Sequence, residues 1–164
     1  MQWVKAAIVG AAGSLVMFGV MMVAIHGIGV APFNTPPSAA FLVKLGLPAK
    51  PLALIVHFGY GIFWSLVFVA LFRSQMSIAR GLGLAGALWL VMMVLYSPII
   101  GWGVAGFGAV ARAATDPLYL GSPVKYVLAT ALLHVIYGLI VGWLNPLWIN
   151  RGAGQRSDQP APAA

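Results

Sequence analysis

The chain has 164 residues, 62% of them hydrophobic and 7% charged, with a mean hydropathy of +0.98. A water-soluble domain carries about a quarter charged residues, so the composition excludes one and calls for lipid as the solvent. Nine Lys and Arg against Asp116 and Asp158 give a formal charge of +7. They are scattered between apolar runs, which excludes a nucleic-acid surface, and the absence of Cys excludes disulfides, thiolate metal sites and cysteine nucleophiles.

The first apolar run extends from Ala6 to Phe33, longer than the ~20 residues that carry a helix across hydrocarbon. It is too long for the apolar part of a cleaved signal, and no small-x-small cleavage site follows it. "GIGVAPF" from Gly27 is too glycine-rich for firm helix and is expected to turn the chain at the membrane boundary. "TPPSAAFLVKLGL" predicts a short helix on the membrane surface, capped by Thr35 and started by the prolines. The second run covers Pro51 to Phe72, followed by the basic link "RSQMSIAR". The third covers Gly81 to Val110, with Pro98 expected to kink it near one end. "GWGVAGF" from Gly101 should turn like its earlier counterpart, and Asp116 in "TDP" is expected to cap a turn. The fourth run is Tyr126 to Ile149, and the polar tail 151–164, "RGAGQRSDQPAPAA", is expected to be disordered. Met21-Met22 and Met92-Met93 predict packing, and Trp3, Trp143 and Trp148 suit an interfacial belt.

The fold class predicted is therefore an all-α membrane protein with four transmembrane helices spanning 1–150. Blocks recur in the same order. "GAAGSL" at Gly10 is echoed by "GLAGAL" at Gly83, and "VMMV" at Val20 by the same block at Val91. "GIGVAPF" is echoed by "GWGVAGF", "TPP" at Thr35 by "TDP" at Thr115, and "HFGYG" at His57 by "HVIYG" at His134. Such ordered similarity predicts tandem duplication of a two-helix unit, with repeats at about 6–73 and 80–150. An even number of spans puts both termini on one side, with Lys5, Arg73, Arg80, Arg151 and Arg156. Lys44, Lys50, Arg112 and Lys125 fall on the other, so the positive-inside rule predicts cytoplasmic termini.

"GLGLAGALWLVMMVLYSPIIGWG" and "LLHVIYGLIVGWL", in the second half of the chain, resemble the YagU-like family of uncharacterised bacterial inner-membrane proteins. The resemblance implies a multi-span protein of the bacterial inner membrane, and it carries over no functional residue.

Two of the three histidines share the spacing H-x-x-Y-G. On a helix, His57 stands over Tyr60 and Gly61, and His134 over Tyr137 and Gly138. Gly61-x-x-x-Ser65 and Gly138-x-x-x-Gly142 are small-xxx-small patterns that let helices approach closely. The expectation is that the second and fourth helices pack on each other across a pseudo-twofold axis, with both histidines facing inward at similar depth. Tyr60 and Tyr137 would then be natural hydrogen-bond partners for the imidazoles. Buried ionisable groups mark candidate sites. One reading is structural hydrogen bonding. Another is haem b held by His57 and His134, with Gly61 and Gly138 leaving room for the ring. A third is a copper or zinc site that adds His26 to the pair. No paired carboxylates and no G-x-S-x-G motif occur, so no catalytic constellation is specified. The function expected is a non-enzymatic membrane module that binds a cofactor or a partner, either another membrane protein or a second copy of the chain. The alternative is a small transporter or channel for a solute, a metal ion or protons.

Overall fold

The computed structural model describes residues 1–149; the polar tail expected to be disordered lies outside them. Among the described residues, four helices are long and apolar enough to cross a membrane: Gln2–Gly27, Leu52–Gln75, Ile78–Ile99 and Pro123–Ile149. The first consists of α1 (Gln2–Met22) and a π turn, Val23–Gly27. A short α2 (Pro37–Lys44) precedes α3 (Leu52–Phe72). The third comprises α4 (Ile78–Val91), a second π turn (Met92–Tyr96) and α5 (Ser97–Ile99). The last is α6 (Pro123–Ile149).

Local chemistry sets the helix ends. Ser77 Oγ accepts the Arg80 N–H at 3.3 Å and caps α4. Ser122 accepts the Lys125 N–H at 3.3 Å ahead of Pro123, which needs no N–H at the first helical position. The first and third apolar runs stop being helical earlier than their hydropathy indicates. Gly29 takes φ +64°, and Gly101, Gly103 and Gly106 take +89°, +69° and +85°, the left-handed region that glycine enters without cost. Pro98 is not where the third helix first departs from α geometry. The π turn lies ahead of it, and the first helix has an equivalent π turn with no proline.

Going round the bundle, the order is α1, α3, α4, α6. Both hairpins cross at small residues. A Cβ on Gly10 would sit 2.6 Å from the Gly61 carbonyl oxygen and 2.8 Å from Ser65 Cβ. In the other hairpin, a Cβ on Gly81 would meet the Gly138 carbonyl oxygen and lie 2.6 Å from Gly142 Cα. The expected packing of the second long helix on the fourth is thus corrected. Gly61 of α3 faces Gly10 and Ser14 of α1, and Gly138 of α6 faces Gly81 and Ala85 of α4. α6 runs instead along α1, where the Tyr137 ring lies against Gly13. α3 and α4 hardly touch. Lys5 Nζ donates to the Trp148 carbonyl at 2.9 Å, so the start of α1 and the end of α6 lie at the same end of the bundle.

At the opposite end the two long loops fold over the helices as one cap. Phe33 bridges to Leu120, the Gly121 N–H donates to the Pro32 carbonyl at 2.7 Å, and Phe33 and Tyr126 enclose Trp102. Trp102 Nε1 donates to the Leu118 carbonyl at 2.9 Å. α2 is part of this cap. Ala39, Ala40 and Leu42 are buried, and the position before its first residue is held by Pro36 with no side-chain cap, so Thr35 does not have the role expected of it. Met21 and Met93 sit in the buried cluster beneath, as packing residues should.

Asp116 does cap a turn. Its Oδ1 accepts the Leu118 N–H at 2.7 Å, and Oδ2 pairs with Arg112 at 3.0 Å. The Leu118 N–H, and then Arg112, hold the carboxyl below its ordinary range. A depressed folded-state value means the contribution is complete above the ordinary range and is lost as pH falls through the depressed value. Acidification should therefore lower the protection of the Leu118 amide, its exchange measured against the intrinsic rate at the same pH, well before the bundle opens. Asp116→Asn should flatten that pH dependence.

Candidate functional site

A cavity of about 230 Å³ lies among the long helices, beneath the cap. Its floor is α1 and α6, where Ser14, Met21, Thr130, Leu133, His134 and Tyr137 are all buried. Its rim is α3 and α4, where Val56, Tyr60 and Val91 are 39%, 48% and 50% exposed. The exposed liners thus stand on the two helices that fail to pack, and the cavity opens sideways between them. Pro37 and Ser38 of α2 close the end under the cap, where the Tyr96 hydroxyl donates to the Pro37 carbonyl. The lining is almost entirely carbon.

The structure brings His57, Tyr60, Gly61, His134 and Tyr137 to this one cavity. Gly138 does not line it, because the Gly138 face is used up against Gly81 and Ala85. His26 is exposed at the end of the first π turn and is not among the liners. Among the described residues no three His, Cys, Asp or Glu side chains converge, so the His26, His57 and His134 metal trio is not assembled.

The tyrosines do not serve the histidines. His57 Nε2 lies 2.9 Å from the Ser14 carbonyl oxygen on the neighbouring helix, and His134 Nδ1 lies 2.8 Å from the Thr130 carbonyl oxygen one turn back. The Tyr137 hydroxyl donates to the Gly61 carbonyl, tying α6 to α3 beneath the cavity. A bis-His haem does not fit this arrangement. The cavity's 230 Å³ falls below the ~300–1,000 Å³ of ordinary small-molecule pockets, too little for a porphyrin.

Among the liners that the sequence did not single out are three that hold hydrogen bonds: Ser14, Thr130 and Tyr96. Ser14 follows Gly10 by one turn in a small-xxx-small pattern, and Thr130 precedes His134 by one turn, so both carried a weak signal. Thr130 Oγ1 donates to the Tyr126 carbonyl at 2.7 Å and accepts the Trp89 indole N–H at 3.2 Å. Tyr96 had no sequence signal, since its partner Pro37 lies in another loop.

No protein-family model, curated protein or solved structure matches the chain.

Proposed function

We propose that the protein is a multi-span membrane protein of the bacterial inner membrane that binds a small apolar molecule, which enters sideways from the bilayer between α3 and α4. The observation that carries this reading is the lateral cavity: its floor is buried, its far end is capped, and its exposed rim stands on the two unpacked helices. In lipid, every other large apolar surface of the bundle is solvated by acyl chains. A gap between helices at that depth admits molecules dissolved in the bilayer, and a lining without Asp, Glu, Lys or Arg offers no countercharge to ions.

A tandem duplication of the two-helix unit, as the sequence blocks suggest, is consistent with the same reading. Gly10 and Ser14 meet Gly61 and Ser65 as Gly81 and Ala85 meet Gly138 and Gly142. The π turns Val23–Gly27 and Met92–Tyr96 also overlap the two "VMMV" blocks, starting at the fourth residue of the first and the second residue of the other. Two equal halves round an axis would have two equal seams. Here α1 packs on α6 while α3 and α4 stay apart, so the symmetry is broken at the mouth of the cavity. Drift between copies has a use if one seam must close the bundle and the other must admit a ligand.

The test is photolabelling in lipid nanodiscs with an apolar aryl-diazirine probe. Peptides carrying Val56, Tyr60, Val91 and Leu133 should be labelled well above those carrying the outward-facing Leu15 and Leu128. Uniform labelling of all apolar surfaces would remove the site.

A further inference from the structure

We infer that the ligand of this cavity presents hydroxyl donors on a single apolar ring, as a membrane-soluble quinol or alkylphenol does. The inference rests on the reading of the cavity as a ligand site and extends it from shape to hydrogen-bond polarity. A backbone carbonyl can only accept. The ring nitrogens beside the Ser14 and Thr130 carbonyls, at 2.9 and 2.8 Å, therefore carry the protons. A neutral imidazole has one N–H, which leaves lone pairs on His57 Nδ1 and His134 Nε2. No apolar run contains Asp or Glu to pair with a charged ring, and an unpaired cation at that depth is costly, so the neutral form prevails.

Among the described residues each ring has a single hydrogen-bond partner, a backbone carbonyl, which leaves the other nitrogen of each without one, and both rings line the cavity. The hydroxyls of Ser14 and Tyr60 can give or accept, whereas these two nitrogens can only accept. A ligand bearing only acceptors, such as a quinone or an ether, leaves both unmet. A ligand bearing hydroxyls satisfies them.

Size and shape set the rest. The rings of His57, Tyr60, Tyr96, His134 and Tyr137 line a space of about 230 Å³, enough for one small ring. The gap between Val56 and Tyr60 on one side and Val91 on the other lets an alkyl or isoprenoid tail run out into the bilayer.

The experiment is competition against the diazirine probe in nanodiscs, using para-heptylphenol and its methyl ether, para-heptylanisole. The phenol should displace the probe at roughly tenfold lower concentration than the ether, because the ether cannot donate. A phenol has one hydroxyl hydrogen and either nitrogen can accept it, so the double variant His57→Phe with His134→Phe should erase most of the roughly tenfold advantage of the phenol over the ether. Equal competition by phenol and ether, with the cavity still labelled, would overturn the donor requirement and leave the ligand site standing. Heptanol competing as well as the phenol would overturn the ring. Absence of cavity labelling in the first place would remove the ligand site itself. The phenol-to-ether comparison uses the unmodified protein and does not depend on the variants folding.

Discussion

Gly81→Leu should destabilise the protein by about 3 kcal/mol, at the upper end of what overpacking costs. The new side chain would enter at the Gly138 carbonyl oxygen, with Gly142 Cα 2.6 Å and Gly142 N 2.8 Å from its Cβ. All of these are backbone atoms of α6, so no rotamer change can make room. The helices must separate, and α4 has little else to hold it, since its other neighbour α3 hardly touches it. Gly10→Leu should behave similarly, meeting the Gly61 carbonyl oxygen at 2.6 Å and Ile62 Cα at 2.7 Å. Gly59→Leu and Gly86→Leu are the controls, because a Cβ there has nothing within 4 Å. They should leave stability unchanged or raise it slightly, as leucine favours helix over glycine. Unfolding temperatures of the detergent-purified variants check this. If all four variants melt together, the crossings at Gly10 and Gly81 are not what holds the hairpins.

Val56→Trp combined with Val91→Trp should reduce cavity labelling more than tenfold without changing the unfolding temperature. Both residues stand on the rim, on opposite helices, with 39% and 50% of their surface exposed. Two indoles there would fill the gap without entering the packed floor. Leu15→Trp and Leu128→Trp add the same bulk to exposed outer surface and should leave labelling intact. Labelling that persists behind a blocked rim would mean that ligands reach the floor by another path, and lateral entry would have to be abandoned.

Much of the architecture was legible because it depends on short stretches of chain. A run of twenty-odd apolar residues without acids makes a long apolar helix whatever surrounds it. The glycine-rich blocks end helices through their own backbone freedom, as at Gly29, Gly101 and Gly103, whereas the caps at Ser77 and Ser122, which start α4 and α6 ahead of the apolar runs, were not read from the sequence. Five of the six residues of the paired H-x-x-Y-G motif, all but Gly138, line one cavity.

What the chain could not disclose was which helix each small-residue face meets. In a soluble helix an apolar stripe marks the buried side. In helices apolar all round, the packed and outward faces look alike, so Gly61 and Gly138 could be assigned to each other although they meet α1 and α4. The same ambiguity hid the partners of the histidines. Ser14 lies 43 residues from His57, and only the α1–α3 crossing brings its carbonyl to Nε2. The cavity itself is a tertiary fact. It exists because α1 and α6 close on each other while α3 and α4 do not, and that difference between two chemically similar seams is decided by side-chain fit, as where Gly13 receives the Tyr137 ring.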